Sequence, residues 1–298
     1  MLRHSISSLW ALYILLRFRP EVIFLQYSYL LLFVAAVYKV VFGVRNKIEI
    51  ICDCHTKALK RSLNGPFRFI FMAVKRACFR FVNCAIISNE GQRGDIEKFG
   101  VHYMIMPDII PNLDKYESEP AARPYCVYVN AFAEDEPAEL VFQVAEKLQA
   151  SGVKVYWTNK PPKGFKCPDS VPENLVFTGY LSDGDYFSLI AKARCVLALT
   201  NEEGCLQCAG YEATALGVPV VISDTRALRG YFGNAGIFVK HELDAIVAGI
   251  LFLTDLDAYH RMRSEVRRLE GERRLETGLR QAEIERRIGT PFVVNGLK

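Results

Sequence analysis

The chain has 298 residues, 51% of them hydrophobic, and a formal net charge of +4. That length suits two domains of ordinary size, and that hydrophobic content excludes a disordered chain. The net charge conceals a division, because residues 1–118 carry 16 Lys/Arg against 9 Asp/Glu while the remainder carries 21 against 24. Nine cysteines are scattered along the chain, most in apolar contexts such as Cys84, Cys126 and Cys195. They read as reduced thiols packed as small hydrophobes, which points to a cytoplasmic protein.

Hydrophobic periodicity predicts a first helix over Ser5–Phe18. Its apolar stretch, Leu9–Leu16, has no small-residue cleavage site after it and so lacks the form of a secretory signal. A strand (Val22–Leu25), a helix (Tyr29–Phe42) and a strand (Lys47–Cys52) follow, then a loop that starts at Asp53 and contains His55. Val22–Tyr38 is uncharged for 17 residues, but Gln26-Tyr27-Ser28 splits it, which favours a soluble or peripheral chain over a membrane span. A basic-aromatic helix (Pro66–Phe81), a strand (Cys84–Ser88), a short helix (Glu90–Phe99) and a strand (Tyr103–Met106) complete the first part. Between Lys57 and Arg80 stand seven basic residues and no acidic one, interleaved with Phe67, Phe69, Ile70, Phe71 and Met72. No nucleic-acid recognition motif accompanies them, so no nucleic-acid partner is expected. An anionic membrane surface or a lipid-phosphate acceptor suits segment 57–80 better, and a solvated helix face suits it equally.

Residues 107–124, rich in proline and charge, read as a linker. A second alternating run then begins: strand Tyr125–Val129, helix Ala138–Ala150, strand Lys154–Thr158, a Pro/Lys/Gly loop (Lys160–Pro172) and strand Leu175–Thr178. Helix Asp183–Lys192, capped by Ser182 or Asp183, leads to the apolar strand Cys195–Leu199. A polar loop and a helix come next, then strand Val218–Ile222, a short turn, strand Gly236–Val239 and helix Leu243–Leu253. Asp257–Arg287 is a charged helical stretch with breaks expected at Gly271 and Gly278. Strands alternating with helices argue for parallel sheets covered on both faces.

The most informative block is Leu199 to Asp224, a strand–loop–helix–strand unit. Leu206, Ala209, Ala213 and Leu216 follow the spacing of a buried helical stripe, and at about 100° per residue Glu212 falls beside it. Backbone N–H groups of Cys205, Leu206, Gln207 and Cys208 would cradle a pyrophosphate at the helix start while Glu212 accepts hydrogen bonds from ribose hydroxyls. The spacing alone fits a solvated helix glutamate equally well. Cys205-x-x-Cys208 and Cys52-x-Cys54-His55 do not complete a zinc ribbon, and no metal is expected.

Glu203 and Glu212, followed by Ala-Thr-Ala-Leu-Gly-Val-Pro-Val-Val-Ile-Ser-Asp224, resemble the double-glutamate motif of family-four retaining glycosyltransferases of the GT-B fold. That family separates its glutamates by seven residues; here eight follow Glu203 and nine follow Glu202. Phe132–Pro137, Thr178-Gly179-Tyr180, Gly230–Val239, Asp53-Cys-His55 and Ser88-Asn-Glu90 extend the resemblance over roughly residues 20 to 290.

The resemblance implies an α/β chain of two Rossmann-like domains facing a cleft. It divides into an acceptor-side domain (1–118), a nucleotide-sugar domain (119–270) and a C-terminal helix and tail (271–298) that braces the first. It implies retaining transfer of a sugar from a nucleotide-sugar donor to a glycan or lipid-linked acceptor, in surface polysaccharide synthesis, with no metal or cofactor. His55 and Glu203 would stand at the transferred sugar, Thr178, Gly179 and Tyr180 at the base, and Lys160 near the diphosphate. The family's glycine-rich turn and basic clamp are missing from 130–137. Roughly 60–80 residues that would precede the Arg19-Pro-Glu-Val-Ile23 strand are also missing, judged by ordinary βα lengths. The sheet edge this would expose calls for a partner chain. The rival readings are a catalytically silent nucleotide-binding subunit and a GT-B-fold nucleotide-sugar epimerase.

Overall fold

The computed structural model describes residues 2–43, 47–54, 59, 67–165, 167–168 and 170–288. His55 and most of the basic stretch ahead of Phe67 lie outside them. The described residues fall into two compact units, one made of the chain up to Pro107 together with residues 286–288, and one running from Asp108 to Glu285.

The first unit runs α1 (Leu2–Phe18), β1 (Val22–Gln26), α2 (Tyr29–Phe42), β2 (Glu49–Cys54), α3 (Arg68–Phe79), β3 (Cys84–Ile87), α4 (Arg93–Glu97) and β4 (Tyr103–Ile105). Its four strands are parallel and pair in chain order, β1-β2-β3-β4. The uncharged run divides as its polar residues dictate: Ser28 Oγ accepts the Leu31 N–H and starts α2. Two expectations need correction. Asp53 opens no loop, because β2 continues to Cys54 and Asp53 pairs with Gln26 in the sheet. Lys75 is no part of a solvated basic face: it is buried, its Nζ donates to the Leu59 carbonyl at 2.7 Å, and the Tyr27 and Phe99 rings lie around it. Burial lowers the Lys75 pKa. The helix expected over 90–99 opens instead with a 3-10 turn (Glu90–Gln92), since Asn89 and Gln92 close a capping box.

The second unit runs β5 (Tyr125–Tyr128), α5 (Ala138–Gln149), β6 (Lys154–Thr158), β7 (Leu175–Gly179), α6 (Asp183–Ala191), β8 (Cys195–Ala198), α7 (Cys208–Ala215), β9 (Val220–Ser223), α8 (Arg226–Phe232), β10 (Gly236–Val239), α9 (Leu243–Phe252) and α10 (Leu256–Ile288). Six parallel strands lie in the order β10-β9-β8-β5-β6-β7, with one apolar cluster on each face of the sheet. Val196, Leu197, Val220 and Val221 are almost wholly buried, which explains why these strands read as continuous apolar runs.

Two further expectations fail here. The turn expected before Gly236 is the helix α8, started by Thr225, whose Oγ1 accepts the Leu228 N–H. The breaks expected at Gly271 and Gly278 do not occur, and α10 is continuous. Each glycine costs a helix about 1 kcal/mol relative to alanine. Docking offsets that cost. Arg267 donates to the carbonyls of Ala215 and Leu216, Arg273 to Tyr231, and Arg274 to Ile110 and Pro111. Ion pairs one turn apart, including Arg268–Glu272 and Arg274–Glu270, brace the helix along its length.

Candidate functional site

The chain leaves β5 toward β6 on one side and reaches β8 on the other, so the order of the second sheet reverses between β5 and β8. In open α/β sheets ligands bind beyond the carboxyl ends of the strands at such a point. The two loops that leave the sheet there are tied together. Thr200 Oγ1 donates to the Asp135 carboxylate at 2.7 Å, and the Asn201 N–H donates to the Asp135 carbonyl at 2.7 Å. The Thr200 N–H donates to Ser223 Oγ at 2.8 Å. Ser223 Oγ lies 2.7 Å from His241 Nε2, and His241 Nδ1 lies 2.8 Å from Asn201 Oδ1. One arrangement satisfies the whole chain: the Ser223 hydroxyl donates to a neutral imidazole, whose Nδ1–H donates to Asn201. Burial lowers the His241 pKa and so favours that neutral form.

The stripe of Leu206, Ala209, Ala213 and Leu216 is buried as its spacing predicts, and Glu212 beside it is half-buried. Its Oε2 accepts the hydroxyl of Tyr186, from α6, at 2.6 Å. Burial raises the Glu212 pKa, and the Tyr186 hydrogen bond partly offsets the rise. Sequence reasoning missed Tyr186. The only signal was its place one turn into the helix that Ser182 caps, where Ser182 Oγ accepts the Asp185 N–H.

The cradle at the helix start is smaller than expected. The Cys205 N–H turns back to the Glu202 carbonyl, and the Leu206 side chain packs into the core. Gln207 folds its Nε2 onto the Leu199 carbonyl at 2.9 Å. α7 therefore begins at Cys208, which is exposed, with no side chain capping that end. A helix start without a cap leaves N–H donors for an anion.

The remaining predicted residues are dispersed along the same edge of the sheet. Glu203 is exposed, and its Oε1 accepts the Arg226 N–H at 2.7 Å, which starts α8. Thr178 and Gly179 end β7, three strands from β8, or about 14 Å at ordinary strand spacing. Tyr180 follows them with its side chain 80% exposed, and Lys160 is exposed beyond β6. In the β5–α5 loop the carboxylate of Glu136 accepts the N–H groups of Ala131 and Ala133, each at 2.9 Å. An internal carboxylate thus takes the two donors at the position where the basic clamp is missing.

Backbone strain gathers at this edge. Of the four non-glycine residues with positive φ among those described, three lie here: Phe132 (55°), Asn159 (68°) and Gln207 (45°). Such outliers collect where surrounding structure holds the backbone against its preference, often at ligand sites.

Residues 123–255 match the family model described as Glycosyl transferases group 1. No curated protein matches the chain. Among solved structures, a sucrose-phosphate synthase from Thermosynechococcus elongatus is 15% identical with a TM-score of 0.65, covering 92% of this chain and 76% of that one. An α,α-trehalose-phosphate synthase (UDP-forming) from Burkholderia vietnamiensis is 12% identical with a TM-score of 0.68, over 95% and 78% of the two chains. The E. coli trehalose-6-phosphate structure bound with UDP-2-fluoro glucose is 11% identical with a TM-score of 0.70, over 95% and 77%. The chain thus has the α/β fold with parallel sheets found in these GT-B structures, and the family match lies within its second unit.

Proposed function

We propose that the chain is a glycosyltransferase that moves a sugar, with retention, from a nucleotide-sugar donor to a glycan or lipid-linked acceptor in polysaccharide synthesis. The observation that carries the reading is the Glu212 carboxylate, held half-buried by Tyr186 one turn beyond the uncapped start of α7 at the sheet's switch point. One carboxylate oxygen is occupied by Tyr186; the other is free to accept ribose hydroxyls. The first N–H groups of α7 would take the diphosphate and its growing charge as the glycosidic bond breaks. The leaving phosphate accepts the acceptor's proton, so no metal and no side-chain nucleophile enters the scheme. The group 1 match over this unit, and the UDP-2-fluoro glucose bound in the similar E. coli structure, support the same ligand class.

We place Thr178, Gly179 and Tyr180 at the base, Lys160 toward the diphosphate, and Glu203 at the transferred sugar. For Glu203 the Arg226 N–H engages Oε1 and fixes the carboxylate, so Oε2 is the oxygen that would meet the sugar. The test is calorimetric titration of the full chain with UDP, GDP and ADP, followed by transfer assays with the sugar nucleotide of the tightest base. Binding of one nucleotide that Glu212→Ala removes supports the site, and equal affinity in the variant refutes it. A specific observation favours a second reading, a catalytically silent subunit: the Glu136 carboxylate fills the N–H pair where a phosphate clamp would act. Nucleotide binding without sugar hydrolysis or transfer, with any acceptor extract, selects that reading.

A further inference from the structure

We propose that the outer surface of the first unit, formed by α1, α2 and α3, docks on the surface of an anionic lipid bilayer. The inference stands on that unit alone and holds whether or not the second unit transfers sugar.

The surface is apolar where a solvated one would be polar. α2 buries Leu32, Ala35, Ala36 and Tyr38, yet its opposite side carries Phe33, Val37 and Val41 at helical spacing, all exposed. Lys39 is the only charged residue in α2, and it is engaged, with Nζ donating to the Phe81 carbonyl and to Asn83. On α1, Trp10 is 63% exposed and stacks on Tyr13, which is also exposed. On α3, Phe69 is 88% exposed, although Cys78 and Phe79 of the same helix are buried. The three helices form one continuous surface, because α2 packs against both α1 and α3 and the Tyr29 and Phe71 rings meet at 4.4 Å. Monomeric soluble proteins rarely leave so much contiguous apolar area in water.

Charge identifies the occupant. Residues 1–89 contain 13 Lys/Arg and three Asp/Glu. Arg17, Arg19, Arg68, Arg76 and Arg80 are exposed around the apolar residues, and Glu21 is the one exposed carboxylate among the described residues of that stretch. Aromatics and arginine are enriched at protein interfaces too, so the discriminating observation is the single sign of the charge, with exposed arginines almost unaccompanied by carboxylates. Arginines interleaved with exposed Trp, Tyr and Phe match the headgroup boundary of an anionic membrane, where aromatics settle and basic side chains meet lipid phosphates. Among the described residues no helix is long and apolar enough to cross a membrane, so these helices would lie on the bilayer rather than through it.

The experiment is flotation of the full chain with vesicles of phosphatidylcholine alone and of phosphatidylcholine mixed with phosphatidylglycerol, at low and high salt. The expected result is at least about tenfold stronger binding to the phosphatidylglycerol vesicles, weakened by salt. Trp10→Ser with Phe69→Ser should lower that binding at least about tenfold through lost apolar insertion. Arg76→Glu with Arg80→Glu should lower it by a similar factor, and because both are exposed this pair reads the charge even where the first pair alters folding. Circular dichroism and melting report the fold of each variant. Absence of binding to either vesicle, or equal binding to both, overturns the proposal. So does a stable dimer in sedimentation that disappears in the Trp10/Phe69 variant, because the apolar face would then belong to a second copy.

Discussion

The outer helices of the first unit turn Trp10, Phe33 and Phe69 to solvent, whereas the outer helix of the second, α10, turns out Arg268, Glu265 and Glu272 as ion pairs. Beneath those surfaces the inner strands of both parallel sheets, β2 and β3 in the first unit and β8 and β9 in the second, are buried apolar runs. Those inner strands cannot separate the two units, because burial on both faces demands the same apolar composition in each. The exposed side of each helix does separate them. It is free of core packing, so its composition reports what the helix meets. Over Glu265–Glu272 the salt-bridged side of α10 meets water, although Leu275 and Leu279 further along the same helix are exposed; α2 carries no exposed charge at all and does not meet water comfortably. On this view the second unit holds the small ligand and the first holds the large surface.

Glu212→Ala breaks that division most sharply. If the proposed role holds, removing this partly buried carboxylate should weaken nucleotide binding about 10- to 100-fold, the range for a charge-assisted hydrogen bond. Vesicle binding should not change. Calorimetry and flotation on the same protein check both halves. A loss of vesicle binding in this variant would show that the two units do not act independently.

The same carboxylate makes a pH dependence. Burial raises the Glu212 pKa above its ordinary 4.5, so the folded protein holds that proton more tightly than the unfolded chain does. Its contribution to stability is therefore present below pH 4.5 and is lost as pH rises through the folded value. Glu212→Gln should accordingly raise the melting temperature at neutral pH while it weakens nucleotide binding. In the unmodified protein, affinity should fall as pH drops through the raised pKa, by up to about tenfold per pH unit, and Glu212→Gln should flatten that slope. Calorimetric titrations across pH in both proteins measure it. A slope that persists in Glu212→Gln would move the titrating group elsewhere, with His241 in the tied loops next to be tested.

The sheets, their parallel sense and the place of Glu212 were legible because each rests on local periodicity: buried strands as apolar runs, Glu212 beside a three-and-four stripe. Tyr186 was not legible, because its contact with Glu212 joins residues 26 positions apart and no spacing rule reaches that far. The Asp135–Thr200 tie spans 65 positions and was hidden for the same reason. Lys75 was misplaced because a charge count has no direction: the helix rotates this one lysine inward onto a carbonyl and three rings, those of Tyr27, Tyr29 and Phe99. α8 was read as a turn because seven residues with an internal Gly230 give too little periodicity. Glu203 read as a sugar-facing group by motif, and nothing local disclosed that its carboxylate starts α8.

Gly217 tests the packing of α10 on α7. It ends α7 at φ 66°, and a Cβ there would stand 2.3 Å from Arg267 Nε. Gly217→Ala meets both a backbone penalty and a displaced arginine, which would lose its bonds to the Ala215 and Leu216 carbonyls. A loss of about 2–3 kcal/mol is expected, combining left-handed strain with overpacking. Urea denaturation measures it, and an unchanged midpoint would mean that α10 docks elsewhere.

The smallest effect separates propensity from packing on the solvent side of α10. Gly271 and Gly278 lie in the continuous helix with open space where a Cβ would be, and neither has a positive φ. Alanine at each site should therefore gain helix propensity without a clash, stabilising by about 0.5–1 kcal/mol per site. Because the sites are seven residues apart and share no partner, the double variant should give the sum. Thermal melts of the two single variants and the double variant check both size and additivity. A loss instead of a gain at Gly271 would mean that the exposed side of α10 meets something other than water, and the contrast between its charged surface and the apolar one on α2 would then no longer distinguish the two units.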